Sequence, residues 1–301
     1  MSIERIAIIG LGLIGGSIGL ALREMLPAIT TTGWDADPDV RRRASERGLV
    51  GTVCDSPDDA VCDAQLVILC VPVGAMGAAA QSIAGALPPG AIVSDVGSSK
   101  HSVAQAIAKA LPDAVVVPAH PVAGTEKSGP EAGFPELFRH RWCILTPDDS
   151  TPAEAVEQIA NIWQGLGAKV EIMEPAHHDL VLAVTSHIPH LIAYTIVGTA
   201  SDLEDVTRGE VIKYSAGGFR DFTRIAASDP TMWRDVFLTN RDAVLEVLGR
   251  FTEDLTALQR AIRNGDGDTL FELFERTRTI RRSIIEEGQD DARADFGRSD
   301  H

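Results

Sequence analysis

Short apolar runs and stretches with helical periodicity alternate along roughly the first 170 residues of the chain. The apolar runs end at turn residues or change abruptly into polar segments, as buried strands of a parallel sheet do. The predicted strands are Arg5–Ile9, Thr30–Trp34, Gln65–Val71, Ala91–Asp95, Ala114–Val117 and Arg141–Leu145. The predicted helices between them are Ser17–Met25, Pro38–Arg47, Ala75–Ala86 and Ser102–Ala110. This alternation predicts an α/β fold built on a doubly wound parallel sheet.

The pattern changes after about Glu174, where strand-like alternation nearly disappears. The predicted helices of this region are His177–Ala200, Trp233–Asn264 and Asp268–Glu287. The first is apolar nearly all round and interrupted only by Pro189, so we expect it to be buried in a bundle or against a second subunit. The predicted organisation is an α/β domain over residues 1–174, an all-helical domain over 175–287 and a polar, disordered tail over 288–301.

Composition narrows the class of protein. The chain has 301 residues, of which 45% are hydrophobic and 23% charged, as in ordinary soluble proteins. Its net charge of −16 repels nucleic acids and anionic membranes, so we expect neither as a partner. The uncharged stretch Ile6–Leu22 holds five glycines and lacks the pattern of a signal peptide or membrane span. No cysteines form a C-x-x-C pair, which favours free thiols in a reducing cytoplasm.

A glycine-rich loop joins the first predicted strand to the first helix. Gly10 permits a tight turn, Gly12 lets the backbone approach a pyrophosphate, and Gly15 lets the helix pack close to the strand. Asp35 follows the second strand, about 20 residues beyond the loop, where its carboxylate would accept hydrogen bonds from ribose hydroxyls. The predicted Rossmann-type domain therefore binds NAD through Gly10, Gly12, Leu13, Ile14, Gly15, Asp35, Val71 and Pro72.

Other interpretations of this loop stay open. A glycine-rich turn can lack a ligand, and the same loop can hold FAD or another nucleotide. NADP is a further alternative, since the consecutive arginines Arg41, Arg42 and Arg43 could reach a 2′-phosphate. We favour a solvated face of the second helix for these arginines, and NAD for the cofactor.

Two further loops are expected at the carboxyl edge of the sheet, over the nicotinamide. Asp95–Lys100 follows one strand and Pro118–Gly129 follows the next. His120 in the second loop suits a general base with a pKa near neutrality, although a lone histidine in a loop is more often structural. Lys100 could approach cofactor or substrate anions, but an exposed lysine in a turn is the commoner outcome and is expected here.

These motifs together resemble the prephenate dehydrogenase family over roughly residues 5–285. The resemblance rests on the glycine loop, the Gly-Ser-x-Lys turn at 97–100, His-Pro-x-Ala-Gly-Thr-Glu-x-Ser-Gly at 120–129, Ser-His-Ile-Pro-His at 186–190, Gly-Gly-Phe-Arg-Asp-Phe-Thr-Arg-Ile-Ala at 217–226 and Asp-Pro-x-Met-Trp at 229–233. The broader group includes arogenate dehydrogenases and cyclohexadienyl dehydrogenases, which use both substrates.

The resemblance implies NAD-dependent oxidative decarboxylation of prephenate in tyrosine biosynthesis, by a homodimer whose helical domain serves both substrate binding and dimerisation. It implies that His120 accepts the substrate hydroxyl proton, with Ser98 hydrogen-bonding beside it. It also implies a bidentate clamp on a substrate carboxylate by Arg224. The remaining substrate-binding residues implied are His190, Thr125, Glu126, Trp233 and Asp221.

Each assignment has an alternative. Arg224 could pair with Asp221, and Trp233 could belong to the core. His187 and His190 lie three residues apart, which suggests a metal, but no third ligand or H-E-x-x-H pattern supports one, so none is expected. Arogenate carries an ammonium in place of the keto group of prephenate, and Asp221 or Glu126 could pair with it.

Competing functions come from other classes. Two-domain β-hydroxyacid dehydrogenases and imine reductases also place helices after a Rossmann domain, but usually with a catalytic lysine on the long helix. His177–Ala200 contains no lysine, which counts against the hydroxyacid branch. A catalytically inactive NAD sensor would need the glycine loop, but would have no use for His120, Ser98 and Arg224 together.

Overall fold

The structure is a computed structural model that describes residues 3–125, 127–203, 213, 214 and 216–286. It divides into two compact units, Met1–Leu245 and Glu246–His301. The first unit holds both sheets and most of the helices. The predicted disordered tail over 288–301 lies outside the described residues.

A six-stranded parallel sheet forms the centre of the first unit, with strand order β3-β2-β1-β4-β5-β6. Its strands are β1 (Arg5–Ile9), β2 (Thr30–Trp34), β3 (Thr52–Val53), β4 (Leu66–Leu69), β5 (Ile92–Asp95) and β6 (Val115–Val117). The order reverses between β1 and β4, so a crevice opens there at the carboxyl ends of the strands. The predicted doubly wound sheet is confirmed, with β3 as a short strand that the pattern did not predict.

Helices cover both faces of this sheet. They are α1 (Leu13–Met25), α2 (Pro38–Glu46), α3 (Pro57–Val61), α4 (Met76–Ile83), α5 (His101–Ala110) and α6 (Ala153–Gly165). Successive residues of β1 face opposite sides: Ile6 and Ile8 pack in one apolar cluster, while Ala7 and Ile9 pack in another. Burial on both faces explains why this strand is a continuous apolar run.

A second sheet of three strands follows, with order β7-β8-β9. Its strands are β7 (Ala119–Pro121), β8 (Trp142–Leu145) and β9 (Lys169–Ile172). β8 runs antiparallel to β7 and parallel to β9. The predicted strand Arg141–Leu145 is therefore confirmed as β8, but it belongs to this second sheet and not to the doubly wound one. The chain leaves that sheet after β6 and turns directly into β7, which pairs with β8 instead.

The region after β9 is helical among the residues that the structure describes. Its helices are α7 (Pro175–Leu182), α8 (Ile188–Asp202), α9 (Gly217–Thr223), α10 (Pro230–Thr239), α11 (Arg241–Asn264) and α12 (Gly267–Glu286). A π-helical turn, Ala183–His187, joins α7 to α8, so helical structure continues through Pro189. The predicted single helix Trp233–Asn264 is wrong because the chain breaks at Asn240, whose φ of −107° and ψ of 33° are not helical.

One helical stretch, Pro175–Asp202, is long and apolar enough to cross a membrane by length and composition, with a mean hydropathy of 1.6 over 18 residues. Only 28% of that window is buried within the chain. The same stretch carries buried polar side chains, His178, Asp179 and His187, which membrane-spanning helices rarely carry without a functional role. Apolar residues such as Val184 and Ile196 remain exposed. This combination is typical of a helix that is covered partly within its own chain and partly by another protein surface.

Candidate active site

The glycine loop after β1 has the shape that a bound dinucleotide requires. Gly10 has a φ of +100°, and a Cβ there would lie 2.5 Å from the carbonyl oxygen of Cys70. A Cβ on Gly15 would lie 1.9 Å from the carbonyl oxygen of Gly10. At Gly12 an added Cβ would meet no described atom within 4 Å. Gly10 and Gly15 are thus fixed by close packing, whereas the backbone at Gly12 is open to an approaching pyrophosphate.

The N-terminus of α1 faces this opening. Gly12 is its N-cap residue and supplies no side-chain cap, so the amides of the first turn, which includes Leu13 and Ile14, are available to phosphate oxygens. Asp35 holds the loop: its Oδ2 accepts a hydrogen bond from the Leu11 amide at 2.8 Å, and its Oδ1 accepts one from the Asp37 amide at 2.9 Å. Each oxygen keeps a lone pair for a ribose hydroxyl, so these residues fit NAD.

Neighbouring residues complete the predicted cofactor cradle. Val71 and Pro72 follow β4. Val71 lies next to the glycine loop, since its Cγ1 would be 3.0 Å from a Cβ added to Gly10. The guanidinium of Arg41 folds back onto the turn before α2, where it donates a hydrogen bond to the Asp35 carbonyl at 2.7 Å. Arg42 is exposed and pairs with acidic residues of its own helix α2, which agrees with the expected solvated face.

His120 lies in β7 with only 7% of its surface exposed. Its Nδ1 is 2.9 Å from Nε2 of His178, and the two rings meet edge to face. Nδ1 of His178 is in turn 2.9 Å from Oδ1 of Asp179. Three polar side chains from β7 and α7 thus form a continuous chain inside the protein.

Burial affects the protonation of these three hydrogen-bonded side chains. It lowers the pKa of His120 well below 6.5, and positive charge on His178, Lys100 or His187 acts in the same direction. Burial also lowers the pKa of His178, against a hydrogen bond to Asp179 that raises it. For Asp179, burial raises the pKa, but the net pKa is lowered by hydrogen bonds from His178 and from two backbone amides. The expected pKa near neutrality for His120 is therefore wrong, because burial disfavours the charged imidazole; at neutral pH the ring is neutral and able to accept a proton.

Lys100 corrects an expectation from the sequence. Its side chain is fully buried rather than exposed, and its Nζ donates to Oδ2 of Asp95 and, at 2.6 Å, to the carbonyl oxygen of Ala119. Burial lowers the pKa of Lys100, while the charge of Asp95 opposes that change. The lysine is buried because a carboxylate and a carbonyl satisfy its ammonium, and it ties the turn after β5 to the strand that carries His120.

Ser98 lies on that turn, half-buried, with His187 from the π-helical turn packed against its backbone. Burial lowers the pKa of His187 to about 4, while the charge of Asp179 and, to a smaller extent, the backbone of Ser98 act against that change. Nδ2 of Asn240 donates to Nδ1 of His187 at 3.0 Å and to the carbonyl of Asp179 at 2.8 Å. The break between α10 and α11 thus places an amide that connects His187 to α7.

Among the residues predicted to bind substrate, His190 and Trp233 form a stacked pair, with ring centroids 3.6 Å apart and an angle of 24° between the planes. Nδ1 of His190 is 2.9 Å from the carbonyl of Ser186. Burial lowers the pKa of His190, and so does the charge of Arg224 nearby. Trp233 also packs in the apolar cluster on one face of the sheet, so it belongs to the core, and its contact with substrate stays a prediction.

The other predicted substrate residues are Arg224, Asp221, Thr125 and Glu126. Arg224 is exposed and follows α9, and Asp221 lies in that helix three residues earlier. Thr125 is exposed on the loop after β7, where its hydroxyl accepts a hydrogen bond from the Lys127 amide at 3.2 Å. Glu126 lies outside the described residues. In the part of the chain that the structure describes, no group of three or more metal-ligating side chains is found.

Three residues of the hydrogen-bond network around His120 were not predicted from the sequence: His178, Asp179 and Asn240. A signal for the first two was present, because a His-Asp pair at the start of a nearly continuous apolar helix is unusual. For Asn240 we find no signal in the sequence, since asparagine is tolerated on the exposed face of any helix.

A doubly wound sheet, a glycine loop at its switch point and a buried neutral histidine at the carboxyl edge of the same sheet are typical of a dinucleotide-dependent dehydrogenase. The nucleotide-binding domain of prephenate dehydrogenase matches residues 18–172, and the dimerization domain of prephenate dehydrogenase matches residues 174–276. The chain belongs to the prephenate dehydrogenase family. The predicted family, the fold class and the dehydrogenase class are confirmed.

Individual relatives agree with this assignment. The chain is 47% identical to the cyclohexadienyl dehydrogenase of Zymomonas mobilis, over 93% of this chain and 96% of the relative. It is 34% identical to the prephenate dehydrogenase of Bacillus subtilis, over 92% of this chain and 75% of that protein. The crystal structure of the Aquifex aeolicus prephenate dehydrogenase in complex with hydroxyphenyl propionate and NAD⁺ superimposes with a TM-score of 0.88 at 32% identity, covering 94% of this chain and 99% of that one.

Proposed function

We propose that the protein catalyses the NAD-dependent oxidative decarboxylation of prephenate to 4-hydroxyphenylpyruvate, a step of tyrosine biosynthesis. The observation that carries this proposal is the buried, neutral imidazole of His120, which follows β6 at the carboxyl edge of the same sheet whose β1 leads into the loop that fits NAD. Relatives named for prephenate or cyclohexadienyl substrates over nearly the whole chain support the same reaction.

His120 accepts the proton of the ring hydroxyl while the carbinol C–H bond breaks. NAD⁺, when bound, supplies the acceptor for the hydride that leaves this carbon. The ring carboxylate then departs as CO₂, its bonding electrons enter the ring, and the resulting phenolate recovers the proton from His120. The products are 4-hydroxyphenylpyruvate, CO₂ and NADH, so atoms and electrons balance. To Ser98, on the turn after β5, we assign a hydrogen bond to the substrate beside His120.

Arg224 binds a carboxylate of the substrate through its guanidinium, and the stacked pair of His190 and Trp233 forms a wall of the substrate pocket. Support for this grouping comes from the charge interaction between Arg224 and His190. Thr125 and Asp221 are the further polar groups assigned to the substrate, and both are at least partly open to solvent. Glu126 belongs to the same proposed set.

Arogenate is the second candidate substrate. It differs from prephenate by an ammonium group, which Asp221 or Glu126 would pair with, and the 47% identical relative bears the name cyclohexadienyl dehydrogenase. We expect prephenate to be turned over and arogenate to be used as well only if an acidic side chain reaches that ammonium. NAD is the cofactor, because the Asp35 carboxylate suits ribose hydroxyls and repels a 2′-phosphate.

The working form that we propose is a cytoplasmic homodimer. The family model over residues 174–276 describes a dimerization domain. Exposed apolar side chains on the first unit, such as Val184, Ile196, Val197 and Leu203, suit a surface covered by a second copy. Sedimentation velocity would test this: a species of twice the chain mass supports the dimer, and a monomer at micromolar concentration contradicts it.

The decisive experiment mixes the purified protein with NAD⁺ and prephenate and follows NADH and 4-hydroxyphenylpyruvate. His120→Asn should abolish both products, whereas His177→Asn, the same change at an exposed position of α7, should not. Turnover with arogenate alone would overturn the prephenate assignment. NAD⁺ binding without turnover of any of these substrates would favour a sensor.

A further inference from the structure

His120 is the first of three side chains in a row, and the order of donors along that row can be worked out from its far end. Asp179 accepts backbone hydrogen bonds on both carboxylate oxygens, from the Lys100 amide at 2.7 Å and the His101 amide at 3.0 Å. These bonds, at the first turn of α5, favour the ionised carboxylate. An ionised carboxylate only accepts hydrogen bonds.

The proton on His178 follows from this. Its Nδ1, 2.9 Å from Oδ1 of Asp179, must be the donor of that hydrogen bond. A neutral imidazole carries one N–H, so Nε2 of His178 is then bare and can only accept. His178 is fully buried, and burial lowers its pKa, which keeps it neutral.

The same step applies to His120. Its Nδ1 lies 2.9 Å from the bare Nε2 of His178 and must therefore carry the hydrogen. Nε2 of His120 is then the atom with the free lone pair. A solvated histidine would hold its proton on either nitrogen, so here the choice is made by the partner of Nδ1.

We propose that His178, held by Asp179, is a positioning residue that keeps the proton of His120 on Nδ1 and thereby leaves Nε2 to accept the hydroxyl proton of the substrate. This inference rests on the proposed function for its kinetic consequence, but the tautomer itself is a property of the free protein. His178 also receives a stronger hydrogen bond once His120 is protonated, because a charged donor binds its acceptor more tightly.

The chain offers matched substitutions. His178→Asn keeps an amide near the position of Nδ1, so the bond to Asp179 survives while the acceptor for His120 is lost. His178→Gln reaches the position of Nε2 with an amide oxygen and restores that acceptor. The exposed neighbour His177 takes the same change, His177→Asn, as the control.

The first readout is ¹⁵N NMR of the histidine side chains in the free protein, with the His120 signals assigned through His120→Asn. We expect protonated Nδ1 and bare Nε2 on His120 in the wild type, in His178→Gln and in His177→Asn, and a loss of that preference in His178→Asn. Protonated Nε2 in the wild type would overturn the proposal, even if every variant failed to fold.

The second readout is kinetic. In His178→Asn we expect kcat with prephenate to fall on the order of 100-fold, as misplacement of a catalytic group does, with the Kd for NAD⁺ unchanged. The acid limb of kcat/KM should move to lower pH, because the protonated imidazole loses its acceptor. The groups that face His120 there are Lys100, His178 and His187. His178→Gln should recover most of the rate.

Equal rates and equal pH profiles in the wild type and His178→Asn would refute the inference while leaving the proposed function intact. A wild type that turns over neither prephenate nor arogenate would refute the proposed function, and the NMR result would still decide the tautomer. The two failures are therefore distinguishable.

Discussion

Lys100 and Asp95 form an ion pair from which solvent is fully excluded, since neither side chain has any exposed surface. Asp95 is the last residue of β5, and Lys100 is the N-cap residue of α5. The ion pair therefore spans the turn that carries Ser98. The lysine also donates to the carbonyl of Ala119, the residue before His120. One buried cation thus connects the Ser98 turn to the proposed base.

Removing the cation should destabilise the protein strongly. Lys100→Met leaves the Asp95 carboxylate buried without its counter-charge, which typically costs about 3–5 kcal/mol of unfolding free energy. Urea unfolding would measure the loss. Lys109→Met, at an exposed position of α5, should change stability by less than about 0.5 kcal/mol. Adding Asp95→Asn to Lys100→Met should restore part of the loss, and a single variant as stable as the wild type would contradict the assignment.

His187 should make the fold sensitive to acid. Its pKa is about 4 in the folded chain against 6.5 for an unperturbed histidine, so the unfolded state takes up a proton first as the pH falls. The stability contributed by the neutral folded form is complete above pH 6.5 and is lost between about 6.5 and 4, amounting to about 3 kcal/mol.

His187→Asn tests this, because its amide can still accept the hydrogen bond from Asn240 but does not titrate. Unfolding free energies measured from pH 7 to pH 4 should fall more steeply in the wild type than in the variant, by about 3 kcal/mol over the range. Parallel curves would show that His187 does not carry this dependence.

Arg224 should affect substrate binding rather than cofactor binding. Hydrogen bonds to charged groups contribute about 1.5–3 kcal/mol, so Arg224→Gln should raise KM for prephenate roughly 10- to 100-fold. Arg224→Lys should recover only part of this, because lysine lacks the planar fork. Steady-state kinetics and NAD⁺ titration would separate the two effects. Arg234→Gln, at an exposed arginine paired with Asp235, is the control. An unchanged KM in Arg224→Gln would remove the residue from the site.

Asp35 should set the choice between NAD and NADP. Asp35→Ser removes the charge that repels a 2′-phosphate, so the ratio of kcat/KM for NADP⁺ over NAD⁺ should rise about 10-fold or more. Asp37→Ser serves as the control, because serine can still cap α2 as the aspartate does. Cofactor preference that is identical in both variants would argue against the assigned role of Asp35.

The sheet and the glycine loop could be predicted because their signals are local. A buried parallel strand is apolar on both faces, as β1 shows, and the spacing of Gly10, Gly12 and Gly15 belongs to one turn. β7 could not be predicted in the same way. It has three residues, one of which is Pro121, and proline in a strand is tolerated only at an edge such as this one.

The surroundings of His120 could not be predicted because they are assembled from distant parts of the chain. His178 is 58 residues away from His120, and Asn240 is 61 residues from Asp179. Nothing local distinguishes Lys100 from an exposed lysine until Asp95 and the Ala119 carbonyl are brought beside it. Sequence reasoning thus proposed His120 as the base from its place in the chain, whereas the tautomer of its imidazole depends on tertiary contacts.

The π-helical turn between α7 and α8 sets the angle at which two histidines leave their helix. Nine residues of regular α-helix would separate the directions of His178 and His187 by about 180°, on opposite sides. The Ile188 amide bonds back five residues to the Ala183 carbonyl, so the turn accommodates one residue more than an α-helix would. The two imidazoles therefore diverge by only about 80°. The one additional residue in this turn is therefore enough to bring both histidines to the same side of the helix.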